Sequence, residues 1–283
     1  MTDQQRTYPA GVTSWVDIEQ RDIEGAKAFY GPVLGWQFHD ATPPGIPTRY
    51  VIAQVDGRDA AGIGGPSDRA GADPGDPTWH TYVAVDDLDE ALARITHAGG
   101  AVTTGPTVAG EGGTWAAFID PQGASLRLWR AKRRLGAQIV NAPGAWNFSD
   151  LHTSDPAAAR RFYEQAFGWE IADVGLGTLI RVPGYGDHLA ATVDPGIHER
   201  QASVSAPPGF ADAIGWVVPL GQDETPHWHV SFAVADRDVV ATLASEHGGT
   251  VIATTETGWT RTALVRDPQG AVFTASQFTP PGR

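Results

Sequence analysis

The stretch "DIEGAKAFYGPVLGWQF" (Asp22 to Phe38) returns later in the chain as "DPAAARRFYEQAFGWEI" (Asp155 to Ile171), and the two align without a gap. Phe29 matches Phe162, Tyr30 matches Tyr163, and Gly35-Trp36 matches Gly168-Trp169. Each copy reads as a capped amphipathic helix, with an aspartate placed to accept an orphan backbone N–H at the start. In the second copy Pro156 takes the first helical position, where its missing N–H costs nothing.

A second pair of stretches follows the same logic. "TWHTYVAVDDLDEALARITHAGG" (Thr78 to Gly100) is matched by "HWHVSFAVADRDVVATLASEHGG" (His227 to Gly249), and an Asp-Pro-Gln-Gly turn follows each, at Asp120 to Gly123 and Asp267 to Gly270. Leu88, Ala91, Leu92 and Ile95 fall at i, i+3, i+4 and i+7, the spacing of one helical face. His97 and His247 fall in the last turns, where a surface cation suits the helix dipole. The chain is therefore a duplication of a duplication. We read it as an α+β protein of four β-α-β-β-β modules, making two domains over residues 10–131 and 145–279, with "AKRRLGAQIVNAPG" (Ala131 to Gly144) between them. The second copy is longer, and its extra residues are expected within Asp194 to Thr225.

The composition sets limits on function. At 283 residues, two domains of ordinary size can each bury about 65 to 70% of their unfolded surface. A chain that is 41% hydrophobic and 19% charged is globular. A net charge of −13 repels phosphate backbones and anionic lipid, so nucleic acid and membrane surfaces are poor partners. With no cysteine there is no disulfide, thiolate metal site or cysteine nucleophile. The opening "MTDQQRTYPAG" lacks the apolar core of a signal peptide, and no run is long enough to span a membrane, which leads us to expect a cytoplasmic protein, monomeric or homodimeric.

A strand ending in Asp, "FY…GW" after the first and third helices, "VDDLDEAL…AGG" in the second module and a DPQG turn before each last strand together resemble the vicinal oxygen chelate superfamily. That superfamily includes glyoxalase I, bleomycin-resistance proteins and extradiol dioxygenases. "SWVDI" and "FSDL" followed by "FY…GW" are similar to tandem glyoxalase-like proteins of actinobacteria. The resemblance implies cupped mixed sheets with helices outside and ligand inside. It also implies where metal ligands would stand: seven residues before each capping Asp, at Trp15, His80, Phe148 and His229. Others would stand four residues after the Gly of each DPQG turn, at Arg127 and Thr274, and on the closing strand of the first or third module, in "AAGIGG" (Ala60 to Gly65) or "LAATV" (Leu189 to Val193). These positions offer two histidines, no carboxylate and one arginine, too few donors for zinc or iron. No metal or other cofactor is expected. A set of Asp150, His152 and His229 is set aside because His152 lies four strand residues, about 13 Å, beyond Phe148.

Strand alternation places Trp15, Asp17 and Glu19 on one face, and Phe148, Asp150 and His152 on the equivalent face of the second copy. His80 shares its face with Tyr82, and His229 with Ser231. Ser125, Arg127 and Trp129 point the same way, as do Val272, Thr274 and Ser276; Trp115, Trp259 and Tyr185 lie near by topology. We expect Asp17 with His80, or Asp150 with His229, to move protons, because a carboxylate beside an imidazole raises its basicity. Trp15, Glu19, Tyr82, Trp115, Arg127, Trp129, Phe148, His152 and Thr274 would bind an aromatic or conjugated small molecule.

Plainer readings compete with these. The histidines would hydrogen-bond across central strands, Asp17 would pair with Arg127, and Glu19 and His152 would be solvated strand ends. Trp79, Trp228, Phe29, Tyr30, Trp36, Phe162, Tyr163 and Trp169 read as core, and His188, His198 and His227 as loop residues. Three functions follow: a metal-independent lyase or cyclase acting on an aromatic or polyketide-like compound, a sequestering protein of the antibiotic-resistance type, and a metal-dependent glyoxalase- or dioxygenase-like enzyme.

Overall fold

A computed structural model describes residues 5–42, 48–66, 77–204 and 206–280. Its four modules follow the expected order. The first runs β1 (Thr13–Glu19), α1 (Ile23–Leu34), β2 (Gln37–Asp40), β3 (Thr48–Val55) and β4 (Arg58–Pro66); the second runs β5 (Trp79–Ala84), α2 (Leu88–His97), β6 (Ala101–Ala109), β7 (Gly113–Ile119) and β8 (Ser125–Ala131). The third contains β9 (Trp146–Thr153), α3 (Pro156–Phe167), β10 (Glu170–Asp173), β11 (Thr178–Arg181), α4 (Tyr185–Ala191), α5 (Ile197–Ser203), a 3-10 turn (Phe210–Asp212) and β12 (Ala213–Pro219). The fourth runs β13 (His227–Ala233), α6 (Arg237–Glu246), β14 (Thr250–Glu256), β15 (Thr260–Arg266) and β16 (Val272–Phe278).

The strands form two eight-stranded mixed sheets of identical plan, ordered β2-β3-β4-β1-β5-β8-β7-β6 and β10-β11-β12-β9-β13-β16-β15-β14. β1 runs parallel to β4, as β9 does to β12, and the outer strands of each module pair antiparallel. The four helices that the sequence predicts start at their aspartate caps: Asp22, Asp87, Asp155 and Asp236 each accept a backbone N–H from the first turn. Gly35 and Gly168 close α1 and α3 in the left-handed conformation.

By contacts the chain sorts into two compact units, each built from two modules. One comprises Met1–Ser14, Thr81–Gly136 and Phe148–Trp228; the second comprises Trp15–His80, Ala137–Asn147 and His229–Arg283. In the first, α2 and α3 bury Leu88, Ala91, Ile95, Ala159, Phe162 and Tyr163 in a single apolar cluster. Tyr163 donates to Asp120 of the DPQG turn at 3.0 Å, and Trp169 donates to the Gly11 carbonyl at 2.7 Å. The second unit repeats the arrangement: Tyr30 donates to Asp267 at 2.9 Å, and Trp36 to the Gly144 carbonyl at 2.6 Å. All eight aromatic residues assigned to the core are buried.

Where the copies diverge, the structure corrects the sequence reading. β3 and β4 are joined by a two-residue turn, Asp56-Gly57, with positive φ at both residues, the geometry of a tight hairpin. The matching strands β11 and β12 are separated by residues 182–212, which carry α4, α5 and the 3-10 turn. The extra chain thus begins before Asp194, and Leu189 to Ala191 belong to a helix. The closing strand of the third module is β12, not "LAATV". Counting residues puts it too early because the strand resumes only after a helical insertion that the first copy lacks.

No helix among the described residues is long and apolar enough to cross a membrane.

Candidate functional site

β1 and β9, matching first strands of the two copies, carry matching aspartates in different surroundings. Val16 and Ile18 are fully buried on one face of β1, so Trp15, Asp17 and Glu19 occupy the opposite face as alternation requires. Asp17 is 3% exposed and accepts a hydrogen bond from the Tyr50 hydroxyl at 2.9 Å; that hydroxyl in turn accepts from the Trp15 indole N–H at 2.9 Å. Tyr50 comes from β3, one strand beyond β4. It reaches Asp17 only because β4 has glycine at position 62, which pairs with Asp17 in register. A Cβ on Gly62 would stand 2.1 Å from the Tyr50 hydroxyl oxygen. The sequence reading missed Tyr50, and the signal for it was the alternation of Gly62 and Gly64 in an otherwise apolar strand, where a missing side chain marks the close approach of another group.

Asp150 is half-buried on β9, with fully buried Leu151 on the other face. Its carboxylate accepts the backbone N–H of Trp216 on β12 at 2.9 Å. Around it stand Phe148, two residues earlier on the same face, and Trp216; the Phe210 ring lies 6.2 Å from the first and 6.1 Å from the second. Loss of solvation raises the Asp150 pKa to about 7, and the single backbone donor only partly offsets this. A carboxyl of that kind is half-ionised at neutral pH, as acid–base work requires.

Two residues further along β9, His152 and His227 face each other with ring centres 4.5 Å apart. The carboxylate next to an imidazole in this region is Glu224, 3.3 Å from His152 Nδ1. Burial and the neighbouring His227 lower the His152 pKa, and Glu224 only partly opposes this. His227, expected in a loop, instead begins β13, and its Nδ1 faces the Thr225 carbonyl at 2.9 Å. His229, two residues on along β13, is 8% exposed, with Nε2 2.8 Å from Thr274 Oγ1.

Arg127 forms a separate group. Its guanidinium donates to the Tyr82 hydroxyl at 2.8 Å and lies 4.9 Å from the centre of the Trp115 ring and 5.6 Å from that of Tyr82; Trp129 meets Tyr82 edge-on at 6.2 Å. Among the remaining candidates, His80 and Glu19 are half-buried. Tyr185 is buried in α4 within the core, and Trp259 stacks on Phe278.

A metal at the positions that the resemblance indicates does not fit these side chains. Arg127 fixes a cation in one of them, Phe148 is a hydrocarbon, Thr274 is engaged with His229, and β12 offers glycine and tryptophan where a donor would stand.

Residues 14–128 match the model of the Glyoxalase/Bleomycin resistance protein/Dioxygenase superfamily, and residues 134–276 that of a Glyoxalase-like domain. The chain is 33% identical over 275 residues to "Putative glyoxylase CFP32" of Mycobacterium tuberculosis (strain CDC 1551 / Oshkosh), covering 96% of this chain and 97% of the relative. It is 30% identical to the anthracycline biosynthesis protein DnrV of Streptomyces peucetius, covering 96% and 94%. Among solved structures it is similar to the 2,3-dioxygenase LapB from Pseudomonas sp. KL28, with a TM-score of 0.59 at 17% identity over 98% of this chain and 96% of that one. It is also similar to the Mn(II)-bound glyoxalase from Novosphingobium aromaticivorans, with a TM-score of 0.57 at 14% identity over 95% and 82%. With both halves matched and its tandem modules in place, the chain belongs to the glyoxalase/bleomycin resistance protein/dioxygenase superfamily.

Proposed function

We propose that this protein is a metal-independent enzyme that carries out a dehydration, cyclisation or related lyase-type step on a flat aromatic or polyketide-like compound, with Asp150 as its acid–base group. The observation that carries this reading is the setting of Asp150: a carboxyl with one backbone donor, flanked by Phe148 and Trp216. Aromatic walls bind a flat ring and displace water, and a carboxyl that ionises near neutrality both takes and returns protons. The ionised form removes a proton from carbon next to a carbonyl. The resulting acid gives that proton to the departing hydroxyl, which leaves as water while the double bond forms. His152, held mainly neutral by burial, offers a second proton acceptor along the strand. The part that relatives named DnrV and DauV play in anthracycline biosynthesis supports a fused-ring substrate.

The test replaces Asp150 with Asn and follows both binding and turnover across fused-ring ketones that carry a saturated ring with a hydroxyl on the carbon β to the carbonyl. An acid–base role predicts unchanged binding with turnover lost. Binding without product in the unaltered protein would instead identify a sequestering protein.

A further inference from the structure

The insertion between β11 and β12, absent from the first copy, is a built element. Val182, Tyr185, Leu189, Ile197 and Ala211 anchor it in the core of its unit. The Asp212 carboxylate accepts the Gly186 N–H at 2.7 Å, Arg6 donates to the Tyr185 hydroxyl at 3.2 Å, and Thr7 meets His188 at 3.0 Å. A solid insertion would need nothing more. This one borders an open surface pocket of about 270 Å³ whose lining includes Asp187, His198, Gln201, Pro207, Phe210 and Asp212.

Two features give this cavity its chemistry. Pockets that take a whole drug-sized ligand run from about 300 to 1,000 Å³, so this one holds a single ring with its substituents and not a fused polycycle. Its lining joins one aromatic ring to two carboxylates, an imidazole and an amide, with Asp187 and His198 paired at 3.1 Å. Such a mixture suits a saturated ring that turns a C–H face to the aromatic side chain and its hydroxyls to polar acceptors. Phe210 belongs to both places, since its ring lines the cavity and also packs towards Phe148 and Trp216 beside Asp150.

We infer that the insertion forms a subsite for a hydroxylated, sugar-like ring attached to the flat ligand, with Phe210 as the residue that joins the subsite to the aromatic walls of the Asp150 site. This rests on the proposed function and adds the second half of its substrate. Recognition of the two parts is additive in free energy when both are held at once, so a ligand carrying both parts binds more tightly than the flat part alone.

The experiment titrates the full chain with 1,8-dihydroxyanthraquinone and with its mono-O-glucoside, reading quenching of tryptophan fluorescence. The glucoside is expected to bind at least about tenfold more tightly. Gln201→Trp, which fills the cavity, should bring the glucoside to within about twofold of the aglycone while leaving aglycone affinity unchanged. Asp187→Asn, at an exposed position where folding is not at stake, should remove about threefold of the advantage. Equal affinity of the two probes for the unaltered protein overturns the subsite and leaves the Asp150 site standing, as does an advantage that survives both substitutions. Failure of both probes to bind overturns the Asp150 site and the subsite with it.

Discussion

Asp17 and Asp150 occupy the same position in two copies of one module, yet the fold treats them oppositely. In the first copy a short hairpin keeps β3 long enough to carry Tyr50, and Gly62 leaves room for the hydroxyl to reach the carboxylate. In the second copy β11 is four residues long, the insertion follows it, and the N–H that meets the carboxylate belongs to Trp216. One aspartate is tied into a side-chain relay; the other is left among hydrocarbon with a backbone donor. A duplication thus supplies two equivalent carboxylates, and the surroundings give them different partners.

The sharpest way to break this contrast is to remove each carboxylate in turn. Asp150→Asn should lower turnover by about 10²- to 10⁴-fold, the usual worth of a general acid or base. Asp17→Asn should cost stability and leave turnover per folded molecule within a few-fold of normal. Steady-state rates at saturating substrate decide the matter, and equal losses in the two variants would erase the distinction.

Titration gives the next effect. An acid whose pKa in the folded state is raised from 3.8 to about 7 holds its proton in the native chain at pH values where the unfolded chain has released it. The native state then binds more protons than the unfolded one, so stability falls as pH rises from about 4 to 7 and the full penalty stands above 7. Below the unfolded pKa both states are protonated and the penalty vanishes. Asp150→Asn removes that slope. Allowing for the solvent reaching this half-buried group, the variant should gain about 1–3 kcal/mol on the parent between pH 4 and pH 8 in urea unfolding. A gain at low pH and not at high pH would contradict the assigned environment. Turnover of the parent should itself show an inflection near pH 7.

In the first copy the matching perturbation is Gly62→Ala. The added methyl meets the Tyr50 oxygen, so either the relay or the strand must shift, at about 1–3 kcal/mol. Tyr50→Phe leaves Asp17 and the Trp15 indole each short of a partner and should cost a similar amount. In the double variant the two costs should add only in part, because loss of the hydroxyl removes the nearest atom opposing the methyl and leaves the ring carbon Cζ at 2.6 Å. Full additivity in a double-mutant cycle would show that Gly62 serves some other purpose.

These contrasts also show what sequence reading could reach. Everything set by local rules was legible: four aspartate caps, the two-residue alternation that placed Asp17 opposite Val16 and Ile18, and the aromatic residues of "FY…GW" that fill the core. The fold follows from such rules because each acts within a few residues. What escaped were the partners brought in by pairing across strands. Tyr50, Trp216, Phe210 and Glu224 join the candidate sites only through register and through an insertion with no counterpart to align. His227 escapes too, because the chain before it resembles a loop, and only the start of β13 gives its ring a fixed direction.

The smallest expected effect tests whether the copies differ even where they look most alike. Tyr30 and Tyr163 make the same bond to the aspartate of a DPQG turn, and burial raises both pKa values well above the ordinary one, so each donates as a neutral phenol. Removing the hydroxyl leaves Asp267 with the Gln20 side chain at 2.7 Å and the backbone N–H groups of Gln269 and Ala271, while Asp120 keeps the backbone N–H groups of Gln122 and Ala124. The second unit therefore retains one more donor. In the first unit the Trp228 indole also donates to the Tyr163 oxygen at 2.9 Å, whereas Trp79 meets Tyr30 edge-on without a hydrogen bond of normal geometry. Tyr163→Phe strands a buried N–H that Tyr30→Phe does not. Both variants should unfold at lower urea concentration, with Tyr163→Phe the less stable by about 1 kcal/mol. Turnover should not separate them, since neither hydroxyl faces a candidate site.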